Sequence, residues 1–533
     1  MGKKLNFKYK VLIASAGLGN RLKGMTKNIN KALISIAHKP AISYIIEKFD
    51  VDIEIIIAVG YKADLIKDYI SIAYPNRKIT FVDVDKFEGE GSGLGYSIMK
   101  CEEHLQCPFI FSSNDTIVLE DIKPPTFNWM GQTDLEDNSQ YRSIVSKNNQ
   151  VKELRAKNYI GDSKAYIGLS GIFNYKEFWS SMKSGVNEGS IMIGESFGLR
   201  NLISKNISLF DFTWFDTGNI DQLNKTREFF SKNNNYNILE KEEEAIWFQE
   251  DKVIKFSIDK NFIKNRVARS SSLGKYIPSI ITSSENMFAY KKIEGDVFSK
   301  LPSEKNLKFF LNWIEEFWQK KELSRDQEKD FFSTCNVFYK EKTYKRVKLF
   351  FTELERFDVE ENINGIQTPK IFDLLDMVDW KLLSKGIPVR FHGDLHFENI
   401  LINKNSDQPF TLLDWRQDFG GNMEYGDIYY DLAKLNHGFI ISHKIIDEEL
   451  FNVETNLDHI RYDFHRTQNL INCEEYFKDW VVNKGFNYSK VELLTSLIFL
   501  NIAVLHHYPY NKLLFYLGKS MLYKYLRPEN NNK

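Results

Sequence analysis

Apolar residues recur along this chain in two rhythms, and the changes of rhythm mark its parts. Residues 9–14 and the run IEIIIAVG (53–60) are short, continuous and rich in β-branched side chains. They predict buried parallel strands. KITFVDVD and CPFIFSSND predict two more strands, the second ending on an acid. Between them, KPAISYIIEKF and YKADLIKDYISIAY space their apolar residues as amphipathic helices do. This alternation predicts an α/β domain built on a doubly wound sheet, with its chemistry at strand C-termini.

The pattern turns irregular after Asp121 and ends near TWFDTGNIDQLNKTREFF. SKNNNYNILEKEEEA is polar and Asn-rich, and predicts a linker. The expected organisation is a first domain over 1–235, a linker over 236–246 and a second domain over 247–533. AIWFQEDKVIKFSI reads as a hairpin turning at Glu250-Asp251. From about Lys305 the pattern is largely helical. LKFFLNWIEEFWQKK sets Phe309, Trp313 and Phe317 on one stripe, read as core packing. A chain of 533 residues is too long for one core, so several domains are required in any case.

Composition narrows the function. Hydrophobic residues make up 43% and charged residues 27%, with a net charge of −1. That is a globular balance, with no basic field for nucleic acid or an acidic membrane. Cys101, Cys107, Cys335 and Cys473 are unpatterned, which predicts a reducing, cytoplasmic setting and no zinc site. No apolar run reaches the ~18 residues that span a bilayer. The basic, apolar N-terminus is too short for a signal peptide. Asn6 stands where a myristoylation signal needs Ser or Thr. Nucleic acid and membrane are therefore not expected as partners, and homo-oligomerisation is left open.

The most specific chemistry lies in HGDLHFENILINKNSDQPFTLLDWRQDFG, from His392 to Gly420. Asp394 is placed to accept the proton of a substrate hydroxyl, with Asn399 and Asp414 to hold Mg²⁺ on ATP phosphates. A short loop keeps base and metal ligand close, and the strand FTLLD brings the second acid to the same point. His392, Asp427 and Asp431 read as structural. His396 reads as a substrate contact or a surface residue. The segment resembles the aminoglycoside phosphotransferase and choline kinase superfamily over about 245–500. That resemblance implies a bilobed, protein-kinase-like (α+β) fold, with Lys255 of KVIKF on the ATP phosphates and adenine near Tyr290–Ile293. The chain departs from the family in two ways: no Gly-rich loop precedes Lys255, and no Glu lies between Lys255 and Glu285.

A second phosphate site is written near the N-terminus. Ala16-Gly17-Leu18-Gly19-Asn20-Arg21-Leu22 follows a strand directly, where glycines let main-chain N–H groups approach phosphates. Arg21 and Lys31 supply cations for a triphosphate. Asp115 and Asp216 end apolar segments, as a carboxylate pair for Mg²⁺ would. Together these residues resemble the sugar-phosphate nucleotidyltransferases over roughly 9–230. The resemblance implies a Rossmann-like domain in which Ala16, Gly17, Gly19 and Asn20 bind the nucleotide and Arg21 and Lys31 are catalytic. It makes Asp115 and Asp216 the metal ligands. It further implies base contacts from Gly91 and Ser92, and contacts to the sugar phosphate from Lys157 (after the turn VKELRA), Gly171 and Glu195. The reaction implied is attack by an acceptor phosphate on the α-phosphorus of a nucleoside triphosphate, releasing pyrophosphate.

A kinase and a nucleotidyltransferase on one chain imply consecutive steps, with ATP, a second nucleoside triphosphate and Mg²⁺ at both sites. The expected reaction converts a free sugar to its 1-phosphate and then to a nucleotide sugar for surface (capsule) polysaccharide. The alternative is an amino alcohol or polyol, giving a CDP-activated donor. Gly393, where choline-type kinases usually carry Asn, and the Trp214–Gly218 segment lean toward sugars. A domain kept only for binding, and an antibiotic-resistance kinase, are readings from other classes.

Overall fold

A computed structural model describes residues 7–135, 137–159, 163–232, 243–404 and 406–527. Residues 233–242, which include most of the expected linker, lie outside them. The chain divides into two compact units. One comprises residues up to Lys260 together with Ile281–Tyr290; the other comprises Asn261–Ile280 and Lys291 onward.

The first unit is built on a nine-stranded sheet. Its first four strands lie in the order Ile79–Asp83, Glu54–Val59, Lys10–Ser15, Phe109–Ser113, all parallel. This is the doubly wound half that the apolar runs predict. Alternate residues of each strand feed two cores. Val11, Ile13, Ile55 and Ile57 face one, and Leu12, Ile56 and Ala58 the other. Lys164–Ile172 then adds antiparallel, so the sheet becomes mixed. VKELR, read as a turn, is part of the strand Gln150–Arg155, which pairs with Ser143–Lys147. A separate two-stranded ribbon sets Trp214–Asp216 antiparallel to Thr116–Val118.

The predicted hairpin forms as Glu244–Gln249 and Lys252–Ser257, with Glu250 at φ 50° in its turn. It belongs to a four-stranded sheet whose Trp247, Ile254, Phe256, Met287 and Ala289 share a core with Val11 and Ile13. Trp247 packs edge-on to Tyr69 at 5.1 Å, and Gln249 donates to Glu47 at 2.7 Å. The hairpin is thus part of the first unit's core.

The second unit is mainly helical. Ile428–Ile440, Tyr488–Ala503 and Tyr510–Leu526 are its most buried helices. Small sheets interrupt the helices, among them a two-stranded pair of Pro388–Val389 with Gly426–Asp427. Another joins Gly295–Val297, Ile400–Asn403 and Phe410–Leu412. A third includes Phe451–Asn456 and His459–Phe464, strands that the helical reading of this region passed over. The stripe Phe309, Trp313, Phe317 needs correction at one position only: Phe317 is fully buried and Trp313 packs on Tyr276 and Phe410, whereas Phe309 turns outward. In the helix Glu304–Ile314 the buried positions are Leu307, Phe310, Leu311 and Ile314. Phe309 is 56% exposed. The i, i+3, i+4, i+7 set keeps one face on the core, whereas steps of four drift around the helix.

Candidate active sites

The first site forms where the opening strand ends. Gly19 sits in the left-handed region at φ 74°, and a Cβ there would stand 2.9 Å from Thr26 Cγ2 and 3.2 Å from Lys31 Cβ. Only glycine lets the chain turn this tightly against Lys31. Ala16 is buried and its carbonyl accepts from the Tyr61 N–H at 2.9 Å. A Cβ on Gly17 would meet no described atom within 4 Å, so a ligand can approach the backbone there. Asn20 opens the 3₁₀ turn Asn20–Thr26, which carries Arg21. Asn30, which the sequence did not single out, is fully buried. It donates to the carbonyls of Ser15 (3.2 Å) and Tyr61 (2.7 Å) and accepts from the Ala32 N–H (2.9 Å). It thereby fixes the turn that aims Lys31.

The ribbon pairs Asp216 with Thr116, which brings the two expected carboxylates together. A Cβ on Gly218 would lie 2.8 Å from Arg21 Nη2, 2.9 Å from Asp216 Oδ1 and 3.0 Å from Asp115 Oδ2. Three groups separated by up to two hundred residues therefore converge on one point. Lys31 Nζ is 3.0 Å and Arg21 Nη2 3.7 Å from Asp115 Oδ2. Burial acts to raise Asp115, but Lys31, Ser113 and Arg21 hold its carboxyl below the usual range. Asp216 is pushed up by burial and by the charge of Asp115. The Gly218 N–H (2.7 Å) and the Tyr141 hydroxyl (2.8 Å) donate to it. Two hard carboxylates at one point fit Mg²⁺, provided substrate phosphates and water complete its shell. Among the described residues no group of three or more His, Cys, Asp or Glu could hold a metal.

The weaker expectations separate. Glu195 is buried at the start of the helix Glu195–Asn201, and burial pushes its carboxyl up to about 7. Among the described residues its Oε2 has no close hydrogen-bond partner, although Tyr166 acts on the carboxyl and lowers it; an oxygen so placed suits a hydroxyl donor. Lys157 is pushed down by partial burial and by Arg21 and Arg142, so it shares the field of this site. Gly171 does not line an open surface. A Cβ there would stand 2.0 Å from Trp129 Nε1, so the absent side chain makes room for the indole. Gly91, at φ 79°, and Ser92 form a turn closed by the Ser92 hydroxyl on the Gly89 carbonyl.

The second site forms around the catalytic-looking loop. Gly393 has φ 87°. Asp431, buried, accepts from the N–H groups of His392 (2.8 Å) and Gly393 (2.7 Å) and from Trp318 Nε1 (3.0 Å). Burial pushes its carboxyl up to about 6, against those bonds. Asp427 accepts from the Tyr339 hydroxyl at 2.8 Å and from the Ile387 N–H at 3.0 Å. Asp431 thus holds the backbone of the loop, and Asp427 the backbone just ahead of the strand Pro388–Val389.

Asp394 Oδ1 meets Lys434 Nζ at 2.8 Å, and its Oδ2 lies 3.6 Å from His396 Nε2. Burial acts to raise Asp394; Lys434 and His396 outweigh it and hold the carboxyl well below the ordinary range. Asn399 donates to the Asp394 carbonyl at 2.9 Å. The Leu413 N–H donates to the Asn399 carbonyl at 2.8 Å, which sets Asp414 beside it. Asp414 holds φ 58°, a strained conformation for a non-glycine residue and common at functional sites. Its Oδ1 is held by Arg266. Asn399 and Asp414 offer oxygens suited to Mg²⁺, with phosphates and water as further ligands.

Sequence reasoning missed the cations of this unit. Arg266 and Arg269 lie on the helix Lys260–Leu273. Arg269 donates to the carbonyls of Met423 (3.0 Å), Phe391 (2.6 Å) and Arg416. Lys255 is buried on its strand, in the other compact unit.

Three comparisons bear on these sites. Residues 346–449 match the profile described as the phosphotransferase enzyme family. The chain is 34% identical over 112 residues to a bifunctional protein GlmU of Methanococcus vannielii, covering 21% of this chain and 25% of that one. The chain thus spans about a quarter of that relative's length. It is 29% identical over 184 residues to a choline-phosphate cytidylyltransferase of Streptococcus pneumoniae, covering 32% of this chain and 70% of that protein. Among solved structures, a UDP-glucose pyrophosphorylase from Acinetobacter baumanii aligns at 15% identity and a TM-score of 0.37, over 43% of this chain and 95% of that one.

Proposed function

From a chain that joins a phosphotransferase-family segment to a region similar to nucleotidyltransferases, we propose a bifunctional transferase that works in two consecutive steps. In the first, ATP phosphorylates the hydroxyl of a small alcohol. In the second, the new phosphate ester attacks the α-phosphorus of a nucleoside triphosphate and releases pyrophosphate. The product is a nucleoside-diphosphate donor.

One observation carries this reading: two separate convergences of acid and cation, each on a loop that follows a strand or feeds one. At the first step Asp394 accepts the hydroxyl proton, and Lys434 keeps it ionised and aimed. At the second step no base is needed, because the attacking ester is already anionic. Arg21 and Lys31 position the triphosphate and offset its charge. Mg²⁺, when bound, supplies further charge neutralisation at each site.

A free sugar is the acceptor we favour, with a nucleotide sugar as product. The buried Glu195 oxygen, which among the described residues has no close hydrogen-bond partner, supports it, since a sugar offers hydroxyl donors. The likeness to a choline-phosphate cytidylyltransferase supports a second reading, in which the acceptor is an amino alcohol or polyol.

Separated assays test the two-step proposal. Asp394→Asn is expected to lower phosphorylation by about 10³-fold or more, the scale of losing a general base and its geometry, and to spare nucleotidyl transfer to a supplied phosphate ester. Asp115→Asn is expected to do the reverse. Loss of both activities in either variant would contradict two independent sites.

A further inference from the structure

The phosphotransferase site carries more positive charge than its reaction uses. The helix Arg325–Asn336 runs through a π-helical turn, Val337–Glu341, into Lys342–Glu353. Such turns are rare and frequent at functional sites. Phe338, Lys342 and Arg346 follow one another along this run, and Arg346 feels the charge of Arg416. Lys342 Nζ lies 4.5 Å, and Arg416 Cζ 4.9 Å, from the centre of the same Phe338 ring. Arg416 follows Asp414 by two residues. Its Cβ would stand 2.7 Å from a Cβ on Gly393, so its stem lies against the loop that carries Asp394. Tyr430 packs edge-on to Phe338 at 5.0 Å and lies 5.7 Å from Lys342 Nζ. One turn further along the helix of Tyr430, Lys434 grips Asp394.

These groups feel one another. Lys342 is pushed down by burial and by Arg416 and Lys434, and Arg346 by burial and by Arg416. Burial acts to raise Tyr430, yet Lys342, Lys434 and Arg416 together pull its hydroxyl down. Two carboxylates are felt among them: Asp394, which acts on Tyr430 and is already paired with Lys434, and Glu353, which acts on Arg346. Among the described residues no carboxylate is in ion-pair contact with Lys342, Arg346 or Arg416. Like charges crowded beside a half-buried wall repel one another, and an anion placed among them removes that cost. Two guanidiniums and an ammonium match the oxygens of a carboxylate or phosphate.

Resting on the phosphotransferase reading above, we infer that the alcohol accepted by this site also carries an anionic group, a carboxylate or a phosphate ester, bound by Lys342, Arg346 and Arg416 while its hydroxyl faces Asp394. A uronic or other hydroxy acid fits, and so does a phosphorylated polyol. A quaternary amine or an aminoglycoside would be repelled. The inference sharpens the sugar reading to acidic sugars and sets aside the amino-alcohol one.

The test is ATP consumption by the full chain with acceptors that differ chiefly in charge. The pairs are a hexose and its uronic acid, glycerol and glycerate, and glycerol and glycerol 3-phosphate, with choline and ethanolamine as cationic members. The expected result is a kcat/KM at least about 100-fold higher for one anionic member than for its neutral partner, the scale of a charge-assisted contact. Glycerate against glycerol 3-phosphate distinguishes carboxylate from phosphate. Arg346→Gln should raise the KM for that acid about tenfold while sparing kcat and the KM for ATP, and Arg346→Lys should recover part of the loss. Preference for a neutral or cationic acceptor would overturn the inference and leave the kinase reading standing. So would a variant that raises the KM for ATP instead, because the cations would then serve the nucleotide. If no alcohol is phosphorylated, the kinase reading falls and the inference with it.

Discussion

Two histidines beside Asp394 titrate in opposite senses, and both follow from their neighbours. His392 is fully buried, and burial pushes it down to about 3, so it stays neutral. Burial also acts to lower His396, but Asp394 and Glu398 win and raise it to about 9. A folded value above the ordinary 6.5 means that the charge of His396 stabilises fully below pH 6.5 and that this stabilisation is lost as pH rises through 9. Replacing His396 with Gln should therefore flatten the fall in stability between those pH values, by roughly 2 kcal/mol. Urea unfolding of both proteins at pH 6 and pH 9 checks it; an equal decline in the two would contradict the assignment. At this scale the spacing of Asp394, Asn399 and Asp414 was legible, because a short loop and the strand after it bring them together. Lys434 was not. It reaches Asp394 from a helix forty residues on, and an apolar-patterned helix gives no sign of which polar member turns inward.

Elements explain how the loop is held. The helix Lys260–Leu273 contains no acid to pair with a lysine; it sends Arg269 into the carbonyls around the loop of Asp394 instead. Arg269 is 2% exposed and also stacks on Phe391 at 4.0 Å. Arg269→Met would leave several carbonyls unsatisfied, at a cost of about 3 kcal/mol. Thermal or urea unfolding measures that loss, and a change under about 0.5 kcal/mol, typical of an inconsequential surface site, would contradict it. The departure from the kinase pattern was visible in the sequence as a missing Glu. What replaced it was not, since an arginine within a mixed polar helix reads as solvated. The strands of the first unit were legible because each is a continuous β-branched run. The strand Gln150–Arg155 was not, because VKELR is mostly polar and only two of its residues are buried.

For the molecule as a whole, the chain does not divide where its linker suggests. It passes from the first compact unit at Lys260, returns at Ile281 and leaves again after Tyr290. The hairpin expected to begin a second domain instead completes the core of the first, through Trp247 and Ile254. Trp247→Ala should then destabilise the nucleotidyltransferase-like unit by about 3 kcal/mol, the scale of emptying a buried tryptophan site. Loss of nucleotidyl transfer at a lower temperature than in the unaltered chain would report it; an unchanged profile would mean that the hairpin is not part of that core. A polar, Asn-rich stretch marks a change in the sequence pattern, but it says nothing about which side a following apolar strand will pack on.

The central claim is that two phosphate chemistries act in series, and the fate of one phosphorus atom tests it. The full chain is given ATP labelled in its γ-phosphate, unlabelled CTP, UTP, GTP and TTP, and a panel of free sugars and sugar acids. The account predicts that the label appears in a nucleoside-diphosphate product, in the phosphate next to the alcohol, and not in pyrophosphate. A nucleotide-linked product without label, or label that stops in a phosphate ester no nucleotide ever joins, would contradict it.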